Sequence, residues 1–485
     1  MSSVVNLVEY LGTEMRSFDE LPFGAVDSAA LAELAMANPC GIVPMLPGDA
    51  VEAACVPFAG AADGAGFAGD AAVDSAEVVG IADATSTRAG CLPEGDSVGV
   101  GGDAARADAA KVRRGAKGLL GLLRGRGLPR RAEADDADGC ALTDGDAPGF
   151  RDLLRAECFP GMFEGLQPDK LKEALYALAA SPRFRSVRLR DAASVFDEER
   201  QNQFFAVTYV VPGRFAYLAF RGTDTSITGW RENFNMIYDY PVPAQKQALA
   251  YLLAVAGRVD EPLYLGGHSK GGNLALYAAL MAPPEVQRRI LRVYTHDAPG
   301  FRRDAIAQKR WEALRDRIYR MAPQESTVGL LMDTPVPLHV VHSTGVGIMQ
   351  HSLHTWEVNP EGDGAFVDAG SLADGALSSA ASMAVWLDQY SDEEARKIVE
   401  SLFAAIEASG AHESTELLMG GVKTIGYIAQ AARTMDVPHR DTLVAALAKL
   451  AEIAARGAVG DFAVSVGLRK RDDEGDPDAL VGGAT

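Results

Sequence analysis

A serine between glycines is the residue whose setting most directly suggests covalent chemistry. Residues 267–271 read GHSKG, the pattern G-x-S-x-G in which a serine on a tight turn attacks a carbonyl carbon. In a chain with 50 glycines the pattern alone is weak evidence. The apolar run 263–265 before it and the uninterrupted helical run 270–281 after it predict a strand, a turn and a helix. This context favours Ser269 as a nucleophile over a serine that only caps the helix.

The oxyanion that forms during such an attack needs hydrogen-bond donors. The backbone N–H of Lys270 directly follows the serine and is placed to donate to it. Upstream, residues 220–224 (FRGTD) end a predicted strand. A hydroxyl residue in such a loop can complete an oxyanion hole, so Thr223 is the predicted second donor.

A serine hydroxyl also needs a base, which in this chemistry is almost always histidine. The candidates downstream of the serine and before the helical C-terminus are His296, His339, His342, His351 and His354. His296 comes too early for the chain order serine, acid, histidine. His339 and His342 alternate within the predicted strand 338–342, where histidines are more often packed or solvated. His351 and His354, on a predicted loop, remain.

The elements around these residues alternate between strand and helix. Short apolar runs predict strands at 186–189, 204–211, 215–220, 263–265, 291–295, 317–321 and 338–342. Helical patterns separate several of them. This alternation predicts an α/β fold with a mainly parallel sheet and helices on both faces.

Composition divides the chain into five predicted parts. A helical lead-in (1–47) precedes a segment (48–148) in which 43 of 101 residues are Ala or Gly, which we expect to be disordered because it offers little apolar area to bury. The α/β body covers 149–375. A helical subdomain follows (376–468), with a capping box at Ser391 and Glu394, and a disordered tail ends the chain (469–485).

Charge and cysteine usage exclude several function classes. The formal net charge of -20 disfavours nucleic acid, because binding requires neutralisation of phosphates by Lys and Arg. Five cysteines without a CxxC pair support neither a disulfide framework nor a metal site, and no cofactor motif stands out. The N-terminus lacks a signal-peptide pattern, so a cytoplasmic location is expected.

A basic stretch inside the predicted insert raises the possibility of membrane contact. Residues 111–131 combine eight Lys or Arg with five leucines. Five glycines in the same stretch would each weaken a helix by roughly 1 kcal/mol relative to Ala. A solvated basic linker is therefore favoured over a peripheral membrane helix.

Several of these segments resemble a known family. The matching residues are FRGTD at 220–224 with Trp230 and Asn233, GHSKGGN at 267–273, the lead-in residues Phe23, Val26, Asp27 and Leu31, and GIMQH at 347–351 with Trp356. They resemble the class 3 lipases, and more closely the Mbeg-like hydrolases, a bacterial group of unassigned function. The resemblance covers roughly 1–46 and 149–360.

This resemblance implies an α/β-hydrolase fold with Ser269 as nucleophile, Thr223 in the oxyanion hole and His351, in the Gln-His pattern, as the base in preference to His354. It leaves the acid open. Residues 321–329 resemble the segment where class 3 lipases carry an aspartate, but Ser326 stands at that position. Glu325 is the nearest carboxylate and the predicted acid, with Asp297 and Asp333 as alternatives.

The sequence therefore predicts a serine hydrolase, similar to lipases and esterases, that acts on a small acyl ester, thioester or lipid. The main alternative is a hydrolase-fold scaffold that has lost turnover and binds a partner or lipid through its helical C-terminus. The absent aspartate at Ser326 supports that alternative, since a carboxylate normally orients the catalytic histidine.

Overall fold

The computed structural model describes residues 4–39, 41–46, 51, 147–359, 363–408 and 435–465, with side chains to 457. The expected insert over 48–148, apart from 51, 147 and 148, lies outside the described residues, and so does the basic stretch 111–131. The expected tail from 469 also lies outside them. Of the cysteines, Cys158 is described, and it forms no disulfide with another described residue.

One seven-stranded sheet forms the centre of the described structure, and its strands are neighbours in chain order. The first three pair antiparallel and the remaining ones pair parallel. The strands are β1 (Arg188–Asp197), β2 (Asn202–Val211), β3 (Phe215–Phe220), β4 (Leu263–His268), β5 (Ile290–His296), β6 (Ile318–Pro323) and β7 (Leu338–Val341). The predicted mainly parallel sheet is confirmed.

The first strand is longer than the sequence predicts. The predicted strand over 186–189 begins at Arg188, and β1 continues to Asp197. A bulge shifts the register between Arg190 and Ala193, and Asp191 adopts a positive φ of 52°. The bulge interrupts the period-two alternation of apolar residues on which the prediction depends. The apolar pattern therefore does not predict the second half of the strand.

Helices cover both faces of the sheet. They are α1 (Leu7–Thr13), α2 (Ala25–Leu34), α3 (Phe159–Met162), α4 (Pro168–Ala180), α5 (Ile227–Asn235), α6 (Pro243–Ala256), α7 (Lys270–Met281), α8 (Pro284–Gln287), α9 (Gln308–Leu314), α10 (Asp374–Leu387), α11 (Asp392–Ala408) and α12 (Val437–Ser465). Parallel neighbours need crossover connections, and right-handed crossovers that all step in one direction put their helices on one face. Accordingly α6, α7 and α9 pack together on the same core.

The opposite face is covered by the N-terminal segment, which we define as residues 4–46. Helix α2 packs on β3, β4 and β5, and α1 and α4 pack beside it. Phe23, directly before α2, contacts the rings of Phe215 and Tyr264, with ring centroids 4.9 and 4.8 Å apart. The two faces thus form two separate hydrophobic cores.

A buried ion pair fixes the N-terminal segment on the body. The guanidinium of Arg183 donates two hydrogen bonds to the carboxylate of Asp27, at 2.8 and 2.7 Å. Its remaining donors reach backbone carbonyls of the segment, those of Arg16, Ser17, Leu21 and Pro22. Both side chains are almost fully buried. The hydrogen bonds around the guanidinium offset the cost of removing the two charges from water.

The C-terminal helices form the predicted helical layer. Helix α11 packs on α5, with the rings of Phe234 and Phe403 edge to face at 5.7 Å, and α12 packs on α10 and α11. The predicted capping box is present, since the carboxylate of Glu394 accepts from Ser391 N–H at 2.9 Å. Residues 409–434 of the predicted helical subdomain lie outside the described part. No helix in the described ranges is both long and apolar enough to cross a bilayer.

We predict that Arg183→Met destabilises the protein by about 3 to 5 kcal/mol, because it leaves the carboxylate of Asp27 buried and unpaired. Arg214→Met is the matched control. Its partner Asp19 also belongs to the N-terminal segment, but both side chains are exposed, so the loss of stability should be much smaller than in Arg183→Met. Denaturant unfolding of the two variants measures the difference. Equal losses would contradict the assigned role of the buried pair.

Candidate active site

Ser269 lies on a strained turn between β4 and α7. Its backbone has φ 56° and ψ -132°, a region that non-glycine residues rarely occupy. The Ser269 N–H donates to the carbonyl of His296 on the neighbouring strand at 3.0 Å, which holds the turn on the sheet edge. The side chain makes no capping hydrogen bond to α7. Its hydroxyl is therefore not engaged as a helix cap, the alternative role that the sequence allowed.

Two glycines of the motif are required by space. A Cβ on Gly271 would lie 2.0 Å from the carbonyl oxygen of Phe220, and one on Gly267 would lie 2.3 Å from the carbonyl carbon of Gly271. These neighbours are backbone atoms and cannot rotate away. The strand, the turn and the helix therefore approach each other closely, as the motif requires.

The backbone N–H of Lys270 lies at the first position of α7, where a helix leaves N–H groups without intrahelical partners. It is therefore free of the helix ladder, as the predicted oxyanion donor must be. The Lys270 side chain turns inward and is completely buried. The ammonium donates to the carboxylate of Glu232 at 3.1 Å and to the side-chain carbonyl of Gln203 at 2.7 Å. The lysine thus ties the nucleophile turn to α5 and β2.

The loop after β3 runs alongside the nucleophile. A Cβ built on Gly222 would lie 3.5 Å from the Cβ of Ser269 and 2.9 Å from the carbonyl oxygen of His268. The next residue, Thr223, is buried, and among the described residues its hydroxyl has no hydrogen-bond partner. An unsatisfied buried hydroxyl next to a nucleophile is a donor available for an oxyanion.

A histidine and a carboxylate pair beside this turn. The Nδ1 of His351 and the Oδ2 of Asp297 are 2.6 Å apart. His351 lies at the end of a short 3-10 turn (Gly347–His351), and its ring contacts the ring of His268 with centroids 4.4 Å apart. Since Asp297 engages Nδ1, the Nε2 of His351 is the ring nitrogen left for proton transfer.

Asp297 is held in place by several donors. Its Oδ1 accepts from the hydroxyl of Ser326 at 2.5 Å and from the N–H of Gly329 at 3.0 Å. Burial raises the pKa of Asp297, but the hydrogen bond and charge of His351, together with the Ser326 hydroxyl, outweigh burial and keep the pKa below its usual range. The carboxylate is therefore ionised at neutral pH.

The predicted pairing of Glu325 with His351 is wrong. The Oε2 of Glu325 accepts from the N–H of Gly347 at 2.5 Å, which braces the turn that carries His351 without reaching its ring. The carboxylate on His351 is Asp297, one of the two alternatives, and it directly follows β5. Ser326, at the position where class 3 lipases were expected to carry the acid, donates to that carboxylate instead.

The competing base candidate also has a defined place. The Nε2 of His354 lies 3.1 Å from the Oε1 of Glu33 on α2, and the imidazole is nearly buried. It is therefore paired away from the nucleophile turn. His296 is fully buried and its Nε2 shares a hydrogen bond of 2.9 Å with the hydroxyl of Ser28.

Sequence reasoning missed several buried polar and charged residues that contact the residues of the site. Glu232 and Gln203 meet Lys270 inside the protein, and Glu33 meets His354 from a segment far away in the chain. The only signal for Glu232 is its position between Trp230 and Asn233, two residues that already matched the family pattern. No spacing rule links Glu33 to His354.

Comparisons with known proteins agree with this picture at the level of the family. The Mbeg1-like family matches residues 178–404, so the predicted relationship to the Mbeg-like hydrolases is confirmed over that range. The match begins after the N-terminal segment, where the resemblance stays a prediction. No curated protein matches the chain.

Solved structures of lipases are similar to parts of the chain. M37 lipase is 17% identical, with a TM-score of 0.24, over 33% of this chain and 62% of that one. A fungal lipase-inhibitor complex is 16% identical, with a TM-score of 0.26, over 36% and 70%. The Rhizomucor miehei lipase propeptide complex is 16% identical, with a TM-score of 0.23, over 37% and 60%. The chain thus spans less than two thirds of M37 lipase, and the fold assignment rests on the sheet topology described above.

Two histidines of the site, the buried His296 and the half-buried His268, predict a pH-dependent stability. Burial and the charge of His351 lower the pKa of His268 to about 4, and burial and the charge of His268 lower the pKa of His296 to about 3. In the unfolded chain both return to about 6.5. Between pH 7.5 and 5.5 the unfolded chain therefore binds more protons, and stability falls as the pH falls.

We expect each of these histidines to contribute about 1.4 kcal/mol to the loss of stability between pH 7.5 and 5.5, since one proton is worth about 1.4 kcal/mol per pH unit. In His268→Gln the loss should shrink by about that amount. Urea unfolding at pH 7.5, 6.5 and 5.5 gives both slopes. An unchanged slope in the variant would show that His268 takes up its proton in the folded state.

Proposed function

We propose that this chain, whose residues 178–404 match the Mbeg1-like family, is a serine hydrolase that cleaves a carboxylic ester or thioester through an acyl-enzyme on Ser269. One observation carries the proposal. The contact of 2.6 Å between Asp297 and His351 forms beside the strained turn that presents the serine. A half-buried histidine paired with a buried carboxylate, next to a serine in this conformation, is the arrangement that covalent acyl transfer requires.

In the proposed reaction the Oγ of Ser269 attacks the substrate carbonyl carbon while its proton passes to Nε2 of His351. Asp297 keeps the Nδ1–H of that histidine oriented and stabilises the imidazolium. The carbonyl oxygen becomes an oxyanion and accepts hydrogen bonds from the Thr223 hydroxyl and the Lys270 N–H.

Collapse of this tetrahedral intermediate breaks the bond to the leaving group, and His351 returns its proton to the departing alcohol or thiol. Water then attacks the acyl-enzyme, with His351 accepting the proton of the water, and releases a carboxylic acid and the free serine. The substrate class that we propose is therefore a small acyl ester, a thioester or a lipid.

The inactive scaffold was suggested by Ser326 in place of an acid. With Asp297 on the histidine and Ser326 donating to Asp297, that replacement no longer leaves His351 without a carboxylate. The geometry therefore favours turnover over a purely binding role.

A fluorophosphonate probe tests the nucleophile. We expect the wild-type protein to form a covalent adduct that mass spectrometry of peptides assigns to Ser269, and Ser269→Ala to remain unlabelled. Ser326, in the loop after β6, is an internal control. It should remain unlabelled, because its hydroxyl donates to Asp297. A wild-type protein that does not label, or a Ser269→Ala variant that labels equally, would falsify the proposed function.

The identity of the acid is tested by two carboxamide variants. Asp297→Asn should lower kcat for a p-nitrophenyl ester about a thousandfold or more, because the amide no longer fixes the imidazole in the productive tautomer. For Glu325→Gln, kcat should stay within about tenfold of wild type, because the Glu325 carboxylate accepts from a backbone N–H of the turn that carries His351 (Gly347–His351, the base turn) and does not reach the imidazole. Equal losses in the two variants would remove the distinction drawn between these carboxylates.

A further inference from the structure

The C-terminal end of helix α2 is hydrogen-bonded to the loop after β3 that carries Thr223, which we call the oxyanion loop (residues 221–224). Arg221, which directly precedes Gly222 and Thr223, donates from Nε to the carbonyl of Ala35 at 2.7 Å and from Nη2 to that of Ala37 at 2.6 Å. Ala35 is the C-cap of α2, so the guanidinium meets carbonyl groups that a helix leaves without intrahelical partners. One cation therefore connects the N-terminal segment with the predicted oxyanion donor.

The orientation of this arginine is fixed from several sides. Its guanidinium lies over the ring of Phe205 at 3.7 Å, and its own N–H donates to the carbonyl of Phe205 at 3.0 Å. Burial lowers the pKa of Arg221 to about 10, which leaves it charged at neutral pH. The planar fork can satisfy two carbonyls at once only while α2 and the loop keep their present separation.

The same helix also contacts the turn that carries the base. Glu33, in the last turn of α2, pairs with His354 at 3.1 Å. His354 lies three residues after His351, on the adjoining 3-10 turn (Leu353–Thr355). Both partners are largely shielded from water, so the contact resists screening.

Met36, two residues after α2, lies beside the oxyanion loop. Its sulfur would lie 3.7 Å from a Cβ on Gly222, the glycine that borders Ser269. The residues 33–37 thus adjoin the oxyanion loop and the turn that carries His351.

From these contacts we infer that residues 33–37 are a positioning element of the catalytic site, acting through the Arg221 clamp on the oxyanion loop and the Glu33–His354 pair on the base turn. The inference rests on the proposed function. Its consequence is that the N-terminal segment sets the rate of the chemical step, in addition to covering the sheet.

Conservative variants separate positioning from stability. Arg221→Lys keeps the positive charge but loses the fork that bonds two carbonyls. Arg289→Lys is the matched control, because Arg289 also donates to backbone carbonyls, including Ala256 at 2.5 Å and Glu261 at 2.9 Å, but directly before β5, at the opposite edge of the sheet. On the N-terminal segment, Glu33→Gln has its counterpart in Glu14→Gln, which disturbs an ion pair with Arg16.

The measurements are kcat and KM for a p-nitrophenyl ester, the rate of fluorophosphonate adduct formation, and the thermal unfolding midpoint, all on the full chain. We expect Arg221→Lys and Glu33→Gln to lower kcat and the labelling rate about tenfold to a hundredfold with KM within about threefold, as misplaced catalytic groups do. Arg289→Lys and Glu14→Gln should shift only the unfolding midpoint.

The outcomes distinguish the two proposals. Absence of labelling in the wild-type protein overturns the proposed function and this inference with it. Normal wild-type labelling, with wild-type kcat in folded Arg221→Lys or Glu33→Gln, overturns the inference alone. A loss of kcat in the control variants equal to that in the test variants assigns the effect to stability and also overturns the inference. If Arg221→Lys does not fold, Glu33→Gln decides.

Discussion

The ion pair between Arg183 and Asp27 joins two parts of the chain that the topology makes dependent on each other. Because neighbouring strands follow one another in chain order, the crossover helices cover only one face of the sheet. The other face would expose a row of aromatic and aliphatic side chains if the N-terminal segment did not lie on it. The buried pair, with four backbone carbonyls around the guanidinium, holds that segment in register with the sheet.

The placement of the N-terminal segment also affects the candidate site. Helix α2 reaches from Asp27 near its start to Glu33 in its last turn, and its C-terminal carbonyls receive the guanidinium of Arg221. A displacement at the ion pair would therefore move the oxyanion loop and the base turn together. On the other face, the buried Lys270 and Glu232 connect the nucleophile turn with α5. The site is thus supported by charged contacts from both faces of the sheet.

Local signals were sufficient to predict the tight turn at Ser269 and the general fold. The glycines around Ser269 report a steric demand that arises within a few residues, and apolar periodicity reports which strands are buried. The carboxylate was harder. Nearness in sequence to Ser326 favours Glu325, whereas the neighbouring strand β5 brings Asp297 to His351 across 54 residues of chain. The bulge in β1 was also missed, since it interrupts the alternation that identifies a strand.

The sequence by itself determined the α/β alternation, the turn at Ser269, and the candidate roles of Thr223, Lys270 and His351, because each depends on residue type and short-range spacing. Only the tertiary structure decided which carboxylate meets the histidine, that the N-terminal helices cover the second face of the sheet, and that Arg221 and Glu33 connect those helices with the site. Those features depend on the pairing of strands and on buried charges finding partners far away in the chain, and no local pattern encodes either.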